Sequence, residues 1–379
     1  MIFFIFHFFI VWRIFLFLAA YTGSFILPFQ PRFPYADTLL IPSGLPAWLW
    51  SFANFDGVHY LTISRYGYSA QFTQVFFPLY PLLLGLVNKI LFFLPRLFSG
   101  LMVTNLFFLS ALFVFYRLMR MDFNVRQIRW MIVFLLFFPL SLYFGSLYTE
   151  SLFLLLLLSA FYFARRRHWL AASVVAALAG STRLVGVFLL PALLWEWYLQ
   201  SNNKKVSLLL SVTRSPVTYV VPLGLLVYMV YLQINFGDPL YFWHAQPVFG
   251  AERSGSSIVL LPQVLWRYLK IFKTVPKNSL TFWIPFTELV SFFLAAVFLI
   301  IAHLKKIRFS YLLFSWPALI VPSLTGTLSS MPRYVLILFP IFPILGLIAS
   351  SKIKLTILAF FVILLACYTI LFTRGLWVS

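Results

Sequence analysis

Residues 130–167 read WMIVFLLFFPLSLYFGSLYTESLFLLLLLSAFYFARRR. Two apolar runs, 130–148 and 150–164, flank one acid, Glu150, and end on Arg165, Arg166 and Arg167. The runs are continuous and lack the apolar/polar alternation of a transmembrane barrel, which points to helices. Elsewhere several runs exceed the ~18 residues needed to cross a hydrocarbon core about 30 Å thick. Across its 379 residues the chain is 63% hydrophobic, 21% aromatic and only 9% charged. Soluble domains are about 45–50% apolar and about 25% charged. The contrast excludes a soluble globular enzyme, a disordered protein and a coiled coil.

The net charge is +20. In a soluble protein that would suggest nucleic acid; here it reads as topology, because Lys and Arg gather on cytoplasmic loops, and no nucleic-acid partner is expected. The only cysteine, Cys367, lies inside an apolar run, so no intrachain disulfide and no Cys-based metal site can form. The N-terminus is apolar from Ile2, without a basic leader or a small-residue cleavage site, and reads as a retained first span.

Five basic clusters order the spans: Arg117/Arg120/Arg126/Arg129, Arg165/Arg166/Arg167, Lys204/Lys205, Lys305/Lys306/Arg308 and Lys352/Lys354. With all five on the cytoplasmic side, crossings fall at about 3–27, 97–116, 130–148, 150–164, 169–182, 184–200, 207–233, 283–303, 309–324, 334–350 and 354–373. The expectation is an all-α polytopic membrane protein of about 11 transmembrane helices, forming a single membrane domain, with outer loops at about 28–75 and 234–282. The run 76–95 is apolar but holds Pro78, Pro81 and Pro95. Proline removes helical hydrogen bonds, so this run is expected to be re-entrant or to lie at the outer interface. On this topology Asp37, Asp56, Glu150, Asp238, Glu252 and Glu288 fall on or near the outer face, and Asp122 and Glu196 inside. Scarce acids converging on one face suit an enzyme site there.

Five segments carry candidate chemistry. WSFANFDGVHYLTISRYGY holds Asp56 with His59, Tyr60 and Arg65; a carboxylate there can act as general base on a hydroxyl, although Asp-Gly is also an ordinary turn. No HExxH-type spacing is present, so no metal site is expected. SLYFGSLYTESLF holds Glu150 at the start of a span, where the helix dipole alone would favour an acid and where an ionisable group at the membrane edge is also a functional candidate. STRLVG places Arg183 at an outer turn, suited to phosphate or simply snorkelling. NFGDPLYFWHAQPVFGAER holds Asp238, His244 and Gln246 among aromatics that suit a sugar, a lipid headgroup or the interface itself. MPRYVLILFPIFP opens a span with Arg333.

In this order the segments resemble the PIG-V family, the second GPI mannosyltransferase and its bacterial relatives. The resemblance rests on FDGVHYLTISRYGY, FFPLYPLL, SLYTESLFLLLL, STRLVGV, FGDPLYFWHAQ and PRYVLILFPIFP and runs from about residue 50 to 350. It implies a GT-C-like glycosyltransferase with its site on the non-cytoplasmic face, taking mannose from a polyprenyl-phosphate sugar with inversion. It implies Asp56 as catalytic base, with Glu150 and Arg183 matching the acid and arginine that follow in the family. Phe55 stands where the family usually has Trp before the aspartate. The acceptor would be a lipid or glycan, no cofactor or metal beyond the lipid-linked donor is called for, and membrane lipids surround the chain. The small loops favour a prokaryotic cytoplasmic membrane. The competing reading is a lipid or solute transporter or flippase, which would place charges or broken helices near the bilayer midplane; Arg13, within the first span, is the residue that fits it.

Overall fold

The computed structural model describes residues 1–201, 212–250 and 253–378; Lys204, Lys205 and Glu252 lie outside them. Among the described residues there are helices and turns and no strand. The main helices are α1 (Ile2–Ile26), α2 (Asp56–Tyr66), α3 (Leu79–Ile90), α4 (Arg96–Met119), α5 (Val125–Leu136), α6 (Glu150–Arg165), α7 (Trp169–Gly180), α8 (Leu189–Gln200), α9 (Leu223–Phe236), α10 (Leu261–Thr274), α11 (Leu280–Leu304), α12 (Phe309–Ile320) and α13 (Ser351–Thr373).

Five stretches are long and apolar enough to cross a membrane: Ile2–Ile26, Arg96–Met119, Pro216–Phe236, Thr281–Leu304 and Ser351–Thr373. They make the chain an α-helical membrane protein. The other six expected crossings are shorter or interrupted helices. The run 130–148 shows why. A reciprocal cap starts α5, with Asn124 Oδ1 accepting from Gln127 N at 3.0 Å and Gln127 Oε1 accepting from Asn124 N at 3.1 Å. The helix then stops at Leu136, just ahead of Pro139, which cannot donate a backbone hydrogen bond, and only the single turn Leu142–Gly145 follows. Every residue from 140 to 154 is buried. A segment that is apolar all round belongs in a protein core as readily as in lipid, and broken backbone at membrane depth is tolerated when protein surrounds it.

The chain divides into two compact units, Met1–Tyr162 with Leu345–Val378, and Phe163–Ile344. In the first, α1 lies against α4, α5 and α13, and α3 packs on α2 and α4. One stripe of α1 is buried (Ile5, Phe9, Trp12, Leu16), while Ile2, Phe6, Ile10, Ile14 and Leu18, four residues apart, are exposed. An exposed apolar stripe of that length suits hydrocarbon and not water. Trp12 Nε1 donates to Ser141 Oγ at 3.0 Å, and Arg13 Nη1 donates to Gly145 O at 3.0 Å. The Arg13 guanidinium sits 4.1 and 4.5 Å from the ring centres of Phe17 and Phe52. The broken segment that leads to Glu150 is thereby fixed to α1. Helix α3 has 12 residues, about 18 Å, too short for a hydrocarbon core, and exposes Leu82, Leu86 and Ile90.

In the second unit α7 packs on α9, α8 on α12, α12 on α11, and α10 on α11. The α7–α9 crossing depends on Gly224: a Cβ there would fall inside the contact distance of the Ala177 carbonyl. Gly224→Ala is expected to destabilise the detergent-solubilised protein by more than the ~1–3 kcal/mol of ordinary overpacking, read as a lowered unfolding midpoint. Gly180→Ala, whose Cβ meets nothing nearer than 3.7 Å, is the control and should be close to neutral. Equal effects from the two would show that close approach at Gly224 is not what holds these helices together.

Candidate active site

Helix α2 begins at Asp56, and the residue before it is strained. Phe55 has φ 58° and ψ −117°, a region that an L side chain rarely adopts. Its ring holds it there, packed at 4.7 Å from Phe33, 5.0 Å from Trp377 and 5.7 Å from Phe372, centre to centre. Strain maintained by surrounding structure is a mark of functional positions. The head of the helix is also tied from behind. Tyr148 Oη donates to Asn54 O at 2.9 Å and accepts from Asp56 N at 3.2 Å. Asn54 Nδ2 donates to Phe372 O at 2.9 Å, and Leu147 N donates to Phe52 O at 2.9 Å. Tyr148 lies two residues before Glu150, so the segments of the two acids are joined by hydrogen bonds.

One turn along α2, the His59 imidazole stacks on Phe76, with centres 5.0 Å apart and planes 20° apart. Burial pulls its pKa below the ordinary 6.5, against the raising influence of the Asp56 carboxylate. Tyr60 is buried and meets Phe76, Tyr80 and Tyr148 edge-on at 5.2, 5.0 and 6.4 Å. Tyr80 shares a 2.7 Å hydrogen bond with Thr104 and lies within electrostatic reach of Glu150. Glu150 is fully buried at the first position of α6, whereas Asp56 and His59 are half-exposed. Asp56, His59, Tyr60 and Glu150 thus share one aromatic surrounding. Arg65 does not. It sits nine residues on, about 13.5 Å along the helix axis, exposed and 4.8 Å over the Tyr66 ring.

Tyr148→Phe keeps the ring packing and removes both Oη bonds. With Asn54 O and Asp56 N left short of that partner, the expected loss is about 1–3 kcal/mol, read by unfolding in mixed micelles. A midpoint equal to wild type would mean the tyrosine acts only as an aromatic ring.

In the second unit Arg183 and Arg333 are both more than nine-tenths buried. The Arg183 guanidinium lies 5.4 Å over the ring of Tyr334, the neighbour of Arg333, so the two segments adjoin. Asp238 and His244 form a surface pair at 2.7 Å, and the other carboxylate oxygen of Asp238 caps Leu240 N at 2.9 Å. Asp238 therefore closes the turn that Gly237, at φ 74°, begins. Gln246 Oε1 accepts from Arg253 Nη1 at 3.2 Å, and Arg253 Nη2 reaches Ser330 Oγ at 3.5 Å.

Arg253 belongs to a network absent from the sequence reading. Tyr268 Oη donates to Glu288, accepts from Leu328 N at 3.0 Å and lies 3.3 Å from Thr327 Oγ1. Burial and the neighbouring carboxylate push the Tyr268 phenol above its ordinary value. Ser330 N also bonds Glu288. The network shapes the turn 326–330 that leads into Arg333. Its signal was Glu288 itself, a carboxylate at the ninth position of a 25-residue apolar helix, where an ionisable group demands partners. Nothing local marked Tyr268 or Arg253.

Chemically, the first unit offers a half-exposed carboxylate on an aromatic wall, and the second offers two buried guanidiniums suited to an anion. Among the described residues no group of three or more His, Cys, Asp or Glu is placed to hold a metal ion. Comparison with known proteins finds no family model, no curated protein and no solved structure that matches the chain.

Proposed function

We propose that the chain is a multi-pass membrane glycosyltransferase that moves a hexose from a polyprenyl-phosphate sugar to a lipid or glycan acceptor. The observation that carries the reading is the setting of Asp56, a half-exposed carboxylate held by a strained backbone and a buried tyrosine. Such construction is more than a surface turn needs, and it suits a base that must meet a hydroxyl within hydrogen-bond reach. Mannose, the inverting course and a GT-C-like fold of about eleven crossings follow from the resemblance of the motif series to the PIG-V family. An outer-face site is the reading of the charge topology, and a prokaryotic cytoplasmic membrane that of the small loops.

In the proposed step Asp56 takes the proton of an acceptor hydroxyl as that oxygen bonds to the sugar C1. The bond from C1 to the phosphate oxygen breaks on the opposite side, and polyprenyl phosphate leaves with the electron pair. Its charge calls for cationic partners, for which the sequence offers Arg183 and Arg333. His59 would line the acceptor side, with buried Tyr60 and Glu150 supporting that wall. The transporter reading draws on midspan charge. Arg13, the residue that suggested it, is engaged by Gly145 O and two aromatic rings, which supports a structural use.

The test is transfer in liposomes holding the full-length protein, synthetic polyprenyl-phosphate mannose and a pool of lipid and glycan acceptors. Mass spectrometry should find an acceptor gaining one hexose as polyprenyl phosphate is released. Movement of intact donor across the bilayer without any hexose gain would favour the transporter.

A further inference from the structure

Helix α10 has 14 residues, about 21 Å at the helical rise, and falls short of a hydrocarbon core about 30 Å thick. Its inner face is taken up by the protein. Val264 and Tyr268 are buried, the Phe272 ring lies 5.4 Å from that of Phe282, and Arg267 Nη1 donates to Gly326 O at 3.2 Å. The segment just before it is pinned by Val259 N donating to Leu324 O at 2.9 Å.

What remains outward is neither a water-washed face nor a lipid-buried one. Trp266 and Leu269 are 57% and 50% exposed, with Ile258 and Leu260 exposed just ahead. Among them stand exposed Lys270, Lys273 and Lys277, the first with its Nζ 5.8 Å from the Trp266 ring centre. Water disfavours four large apolar side chains exposed within twelve residues, and hydrocarbon disfavours three ammonium groups. The headgroup level accepts both, because indole rings and lysine side chains settle there.

Charge then selects the lipid. Between residues 253 and 287 there are five Lys or Arg and no Asp or Glu. Arg253 and Arg267 are bonded within the fold, which leaves the three lysines turned outward. On the topology read from the sequence they lie outside, against the bias that gathers basic residues on cytoplasmic loops. We infer that α10 lies in the membrane interface and that Lys270, Lys273 and Lys277 bind the headgroups of anionic lipids. The inference rests on the chain being a membrane protein and is independent of sugar transfer.

The test uses the full-length protein with Cys367→Ala, which removes the only cysteine, and one nitroxide at Leu269→Cys or Lys273→Cys. The vesicles are phosphatidylcholine with or without phosphatidylglycerol. Oxygen should relax the label at 269 more than an aqueous nickel chelate does, and both should reach the label at 273. Mass spectrometry of protein released from mixed micelles should show phosphatidylglycerol retained over phosphatidylcholine. The variant K270Q/K273Q/K277Q should retain roughly a hundred-fold less, the attraction of three lysines to an anionic surface being lost, at an unchanged unfolding midpoint. Labels reached only by the chelate would place α10 in water, and labels shielded from both reagents would place it under a protein partner. Undiminished phosphatidylglycerol on the triple variant would assign the lipid elsewhere. Each of these outcomes overturns the inference.

Discussion

Asp56→Asn is expected to abolish sugar transfer, lowering its rate by about 10²–10⁴-fold, the range over which general-base catalysis acts, with the fold intact. The substitution is isosteric, and asparagine is tolerated at a helix start. The bond from Tyr148 goes to the backbone N of residue 56, so the helix head keeps its tie. The loss should fall on kcat and leave donor binding nearly unchanged, because the residue acts on the acceptor proton. His59 supplies a readout in the folded mutant. Its pKa is lowered by burial and raised by the Asp56 carboxylate, so removing the carboxylate should move the imidazole titration further down. Burial disfavours the charged form of His59, and a folded-state pKa below the unfolded value means that acid favours unfolding. Stability should therefore decline as pH falls through the ordinary imidazole value, more steeply in the mutant. A shifted titration with transfer within a few-fold of wild type would show Asp56 beside His59 but not catalytic, and would move Glu150 to first candidate.

The helical, membrane-embedded character was legible because it is written in bulk composition and in runs too long for anything but a span. Helix lengths were less so. Apolar runs such as 130–148 and 334–350 read alike whether lipid or protein surrounds them, and only their prolines, Pro139, Pro340 and Pro343, hinted that the backbone breaks there. The first-unit cluster was half legible: Asp56, His59 and Tyr60 sit within five residues, so their helix was enough to group them. Glu150 joins them through Tyr148 and Asn54, a long-range pairing that no local pattern encodes. The adjoining of Arg183 and Tyr334 and the Glu288–Tyr268 pair are of the same kind. Asp238 shows the opposite case: Gly237-Asp238-Pro239 is a turn sequence, and the bond of Asp238 to Leu240 is local.

Arg308→Leu should cost the protein about 3 kcal/mol, the low end of the loss on breaking a buried ion pair. The low end applies because the Arg308 side chain keeps 31% of its exposure while that of Glu196 has none. Glu196 accepts from Arg308 Nε at 2.8 Å, from Arg308 Nη2, from Ser310 Oγ at 3.0 Å and from Gln200 Nε2. Take away the arginine and a carboxylate is left inside the protein with only neutral donors. Glu196→Leu should cost less, since the arginine can turn toward water. The double variant E196L/R308L should recover part of the loss, because no buried charge remains, giving a coupling above about 1 kcal/mol in a double-mutant cycle. Strict additivity would show that the pair does not act as a unit. The pair joins α8 to the start of α12. Helix α8 is reached through Arg183 and the turn Leu184–Phe188, and α12 leads on through the turn Val321–Thr325 to Arg333. A bond at one end of two packed helices thus fixes the spacing of the segments that bring Arg183 over Tyr334 at the other. If those arginines hold the donor phosphate, weakening the pair should raise the KM for polyprenyl-phosphate sugar more than it lowers kcat, and Asp56→Asn should do the reverse.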